Sequence, residues 1–167
     1  MTTVSRILGR AALILSLATV AACGGGGGPS YDPESPEGQA FEYRHAVMLV
    51  AGVKQEFINN MAREQVELDE AAFAQAAIEL AVLTAMMPGT FENQTLVAES
   101  LTEPSVWEEW DDFEARMDGA IEATAALAEA VLNGGFAEAQ PLVVASYGTF
   151  SNCSGCHNSY RRSDDED

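Results

Sequence analysis

Near the C-terminal end the chain reads Cys153-Ser154-Gly155-Cys156-His157-Asn158-Ser159-Tyr160-Arg161. On a helix, residues 153, 156 and 157 stand at i, i+3 and i+4 and share one face. Two thiols and an imidazole so arranged suit a planar, iron-bearing macrocycle, the thiols reaching its two vinyl groups and the imidazole its metal. C-x-x-C-H is therefore read as a c-type haem attachment site, with one covalently bound haem c as cofactor. A zinc site would need a fourth ligand, and the only other histidine, His45, has no cysteine beside it. A thioredoxin-like redox pair would need strands around it, and no strand pattern surrounds this one. A disulfide between i and i+3 thiols on a helix is strained and leaves His157 without a role.

Upstream of the motif the apolar residues recur at helical spacing. A first helix is expected from Pro36 to about Gln65, with Phe41, Met48, Phe57 and Met61 on its apolar side. Asp69 is the expected N-cap of a second, in which Phe73, Ala76, Ala77, Leu80, Leu83 and Met87 keep the repeat until Pro88-Gly89 stops it. Periodicity is lost from Thr90 to Thr102. Pro104 then opens a third helix whose seam runs through Trp107, Trp110, Met117, Ile121, Thr124, Ala128 and Val131 to Asn133-Gly134-Gly135. Pro141 is expected in the first turn of a fourth, continuing through Val144, Tyr147 and Phe150 into the haem motif and on to Arg161. The fold class is all-α, an antiparallel four-helix bundle over residues 36–163 with its cofactor between the helices.

The chain has 167 residues, about one domain's worth, with 47% hydrophobic and 20% charged residues, enough apolar material for a core. Lys and Arg number 8 against 26 Asp and Glu, a formal charge of -18, which excludes a nucleic-acid-binding surface. Residues 1–22 hold Arg6, Arg10 and no acid before the apolar run Ala11 to Ala22, the pattern of a bacterial export signal. Its end, Val20-Ala21-Ala22-Cys23, resembles the lipobox of bacterial lipoproteins, in which cleavage leaves Cys23 as a lipidated N-terminus. Ordinary cleavage, with Cys23 an incidental thiol, is the alternative. Gly24 to Gly28 and Pro29-Ser30 make residues 23–35 a tether reaching roughly 20 Å. Residues 164–167 form an acidic tail. The expected location is the periplasmic side of a bacterial membrane, the outer one, with soluble periplasm as the alternative.

Three segments together resemble the cytochrome c prime family of class II c-type cytochromes. Tyr43-Arg44-His45-Ala46-Val47-Met48 is similar to the family's first helix, Glu103-Pro104-Ser105-Val106-Trp107-Glu108-Glu109-Trp110-Asp111-Asp112-Phe113 to its third-helix opening, and Cys153 to Arg161 to its haem segment. The resemblance implies thioether bonds at Cys153 and Cys156, an iron bond from His157, Met48 facing the iron from the other side, Arg44 near the haem propionates and Arg161 beside the proximal ligand. Met48 as ordinary core and Arg161 as a solvated charge stay open as plainer readings.

With the distal side open, the protein the resemblance implies binds nitric oxide or carbon monoxide. With Met48 bonded, it is a six-coordinate low-spin electron carrier like cytochrome c-556. His45 as sixth ligand is a third arrangement, though beside Arg44 it is expected at the rim. No distal acid and base are placed by the sequence, so no catalytic residue is expected and the protein is read as a carrier or gas binder, not an enzyme. A haem-free adaptor lipoprotein is the rival class. The partners implied are a redox protein with a basic face, a second copy of the chain as homodimer, and the membrane through the N-terminal lipid.

Overall fold

The computed structural model describes residues 30–145 and 148–163. The signal at 1–22, Cys23 with most of the tether, Tyr147 and the acidic tail lie outside the described residues. Among the described residues there is no strand, only an isolated bridge between Thr102 and Arg161.

Helix α1 spans Pro36–Ala62, and its Ser35 cap accepts the Gly38 N–H at 3.0 Å. Helix α2 spans Glu70–Met86, where Asp69 accepts the Ala72 N–H at 3.0 Å, as expected of an N-cap. A 3-10 turn at Pro88–Phe91 follows, then irregular chain, then a single turn α3 at Ser105–Glu108. Helix α4 spans Trp110–Val144 and α5 spans Ser151–Tyr160.

Two expectations need correction here. The fourth helix does not begin at Pro141 and run unbroken into the haem motif. The chain turns at Gly135, where φ is 69° and ψ is -156°, so that α4 is two helices joined at this residue with Pro141 inside the second. That helix stops at Val144, and the Thr149 N–H returns to the Leu142 carbonyl at 2.9 Å before α5 starts. Arg161 therefore lies past the end of α5 in extended backbone, not on its face one turn after His157.

The core of α1 also differs from its expected side. Val47, Ala51, Ile58 and Met61 are buried, whereas Phe57 is exposed and Phe41 and Met48 are half-buried. A 27-residue helix that first walls a cavity and then packs in a bundle presents different faces to each, which a single stripe does not describe. On α4 the seam holds at Met117, Thr124 and Val131, with Leu127 fully buried where Ala128 was expected.

At the end of the bundle away from the haem motif, Ile58, Met61, Phe73, Ala76, Ala77, Leu80, Leu127, Ala130, Val131, Ala139 and Val143 form one core. Its alanines let the helices approach closely. The hydroxyls of Thr84 and Thr124 meet at 2.6 Å between α2 and α4 and also bond carbonyls of their own helices, so neither is left unsatisfied.

The φ/ψ pair at Gly135 lies in a region that side chains other than hydrogen do not tolerate. Gly135→Ala should lower stability by about 1–3 kcal/mol. Gly52→Ala, inside α1 with open space where its Cβ would go, should raise it by about 0.5–1 kcal/mol. Denaturant unfolding of the holoprotein measures both.

Candidate haem site

A cavity of about 650 Å³, the size of a cofactor pocket, opens between α1, the irregular chain after α2, and α5. Phe41, Arg44, His45, Met48 and Leu49 line it from α1, Cys156, His157 and Tyr160 from α5, and Ser100, Leu101 and Thr102 from the irregular chain. Phe91, Val106 and Phe113 complete an apolar wall, in which Phe113 meets Phe91 edge-on at 4.8 Å and Tyr160 at 5.2 Å. The resemblance implied that Arg44, Met48, Cys156, His157 and Arg161 surround one haem; the fold brings all five to this one cavity. Cys153 lies one turn before Cys156 on α5, half-buried. His45 is exposed at the rim, stacked on Phe41 at 5.6 Å.

Burial raises the Cys153 thiol and pushes that of Cys156 up to about 11, the latter opposed by the nearby Arg116 charge. Both are therefore neutral thiols at ordinary pH. The cavity is open enough to leave the His157 ring accessible surface, yet the surrounding protein lowers its pKa and the Arg161 charge adds to that. The ring is thus held neutral, the form able to bond a metal.

Arg44 tests whether these residues fit a haem. Its side chain is buried at 4% exposure, with Nε donating to the Thr90 carbonyl and Nη2 to the Asn93 carbonyl, both at 3.2 Å. The guanidinium sits 4.7 Å from the Phe91 ring centre and 5.6 Å from that of Trp107. Nη1 has no partner. A buried cation with an unspent donor in the wall of an apolar cavity is costly unless an anion comes to it, and a propionate-bearing macrocycle brings one. The burial that lowers the Arg44 pKa is part of that cost.

A second set of contacts holds α5 from behind. Arg116 of α4 donates through Nη1 to the Gly155 carbonyl at 3.2 Å and through Nε to Asp112 at 2.6 Å. The Tyr160 hydroxyl donates to Asp112 at 2.6 Å and lies 3.2 Å from a Glu109 oxygen. Asn152 donates to the Gly119 carbonyl at 2.9 Å. Sequence reasoning missed this set. The Asp112/Arg116 spacing of four residues was a readable helix pair, but its reach to a helix some forty residues later was not.

The family model described as Cytochrome C' matches residues 39–161. The chain belongs to the cytochrome c' family. Proteins of the cytochrome c' family carry one covalently bound haem c, and Cys153 and Cys156 fit its attachment motif. Cytochrome c-554 of Cereibacter sphaeroides is 29% identical over 127 residues, which are 74% of this chain and 80% of that one. The crystal structure of cytochrome c' from Rubrivivax gelatinosus superposes with a TM-score of 0.68 at 24% identity, covering 75% of this chain and 97% of that one. A variant of cytochrome c prime from Alcaligenes xylosoxidans, solved as its nitric oxide complex, gives 0.66 at 18% identity, covering 75% and 94%. These likenesses bear out the four-helix bundle expected from the sequence.

Proposed function

We propose that this cytochrome c' holds its haem through thioethers at Cys153 and Cys156, with His157 as proximal ligand and an open distal side on which nitric oxide or carbon monoxide binds. One observation carries the reading: the half-buried Met48 of α1 and His157 of α5 line a single apolar cavity from two helices. The bound haem supplies an iron centre that takes up one electron or a small gas. The chain's own part is to hold the imidazole neutral and oriented, to meet a propionate with Arg44, and to limit water with Phe91, Val106 and Phe113. Replacing Cys153 and Cys156 together with Ala should make the haem extractable by acid, whereas wild type retains it through denaturation.

Met48 packs against the cluster of Phe91, Val106, Phe113, Met117 and Tyr160, and a side chain engaged there crowds the pocket without bonding iron. The second reading, a His157/Met48 electron carrier, draws support from the same placement, since Met48 is the soft donor on the α1 wall. Under the first, the ferric protein is largely high-spin near neutral pH and Met48→Ala speeds carbon monoxide binding. Under the second, wild type shows a near-infrared methionine-to-iron charge-transfer band that Met48→Ala abolishes.

Export and lipidation at Cys23 belong to the same reading. Ser30, seven residues on, bonds Glu99 at 2.7 Å, and Tyr31 packs on Phe41 at 5.1 Å; both partners line the cavity. A tether fixed there would hold the haem side of the domain toward the membrane and a redox partner with a basic face. Two copies would pair across Leu49, Val50, Val53, Ile78 and Val82, all exposed, where Lys54 and Glu79 neutralise one another at 2.5 Å on an otherwise acidic protein. Cys23→Ala should move the protein from the membrane to the soluble periplasmic fraction, where sedimentation reads the dimer.

A further inference from the structure

The haem motif sits on a helix with one buried side chain of its own, Tyr160, and besides the Asn152 bond to Gly119 its polar ties to α4 include a pair of opposite charges, Arg116 and Asp112. Arg116 reaches the carbonyl of Gly155, between the two attachment cysteines, and its charge acts on the Cys156 sulfur. Asp112 takes the Tyr160 hydroxyl, and Tyr160 lines the haem cavity three residues after His157. The two groups bond each other through Arg116 Nε and the Asp112 Oδ2 that also accepts from Tyr160. Neither group lines the cavity itself, so neither is in place to bond the iron.

We propose that Arg116 and Asp112 are positioning residues that tune the haem reduction potential from behind α5, the cation raising it and the carboxylate lowering it. Reduction takes one electron from an external one-electron donor and turns ferric iron into ferrous, removing one positive charge from the site. A cation beside the attachment motif favours the form with less positive charge, and an anion favours the other. The pair is partly solvent-exposed, at 39% and 55% for the two side chains, so each influence is damped by salt. Removing one member exposes the full charge of the one that remains.

The sign of the change separates tuning from simple support. Both Arg116→Gln and Asp112→Asn break the ion pair. If the pair only braced α5, both would loosen the haem environment and shift the potential in one direction. Under the proposal, Arg116→Gln lowers the midpoint potential, Asp112→Asn raises it, Arg116→Lys stays near wild type, and the double variant returns toward it. Tyr160→Phe, which removes a hydroxyl and no charge, moves it little.

Spectroelectrochemical titration of the purified holoproteins reads these potentials, and raising the salt should shrink the two opposite shifts together. Shifts of the same sign, or none in a variant whose haem spectrum and melting temperature match wild type, overturn the proposal. Asp112→Asn alone decides it if Arg116→Gln fails to fold, because a fall in potential there contradicts it outright. The inference rests on attachment at Cys153 and Cys156, and the two fail differently. Haem lost to acid extraction removes the attachment, whereas retained haem with same-sign shifts removes only the tuning.

Discussion

Helix α5 has ten residues and buries only Tyr160, yet it carries both attachment cysteines and the histidine. A helix of that length is marginal in water, and this one has almost no apolar face with which to dock. Its place therefore depends on polar bonds made from other parts of the chain: Arg116 on the Gly155 carbonyl, Asn152 on the Gly119 carbonyl, and Tyr160 on Asp112. Beyond the helix, the Arg162 N–H bonds the Leu101 carbonyl at 2.8 Å, and its side chain the Ser100 carbonyl at 2.7 Å. The irregular chain after α2 is thus fixed to the haem segment from the other side, and the cavity wall follows from that closure.

The two ends of the bundle do different work. Away from the haem motif, small residues let α1, α2 and α4 pack into one apolar core. Toward it, Phe91, Phe113 and Tyr160 form a second cluster that lines the cavity. Arg44 stands in the cavity wall one turn before Met48 on α1, buried, with Nε and Nη2 bonded to backbone carbonyls and Nη1 without a partner. An apolar residue there would pack at lower cost, and a buried guanidinium nitrogen without a partner is the cost that the arginine adds.

Charge divides the surface in a similar way. The chain carries 26 acidic residues against 8 basic ones, and the described cations are concentrated where they bear on structure. Lys54 pairs with Glu79 between α1 and α2, Arg116 with Asp112 on α4, and Arg162 closes the loop onto α5. The acidic remainder gives the chain a negative long-range field.

Local chemistry was legible in the sequence. The spacing of Cys153, Cys156 and His157 specified a haem attachment, Pro36 and Asp69 marked helix starts, Pro88 and Gly135 ended helices, and the apolar residues at helical spacing indicated a bundle, because each of these signals acts over a few residues. The break between Val144 and Ser151 was not legible. The apolar pattern continues through it, and the turn is held by backbone bonds such as that from Thr149 to Leu142. Nor was the second side of α1, because the face that a long helix buries depends on what lies opposite. The bonds of Arg44 to the Thr90 and Asn93 carbonyls, of Arg116 to the Gly155 carbonyl and of Tyr160 to Asp112 join residues about forty to fifty apart along the chain. Such contacts carry no periodicity and leave no local mark, so tertiary packing alone determines them.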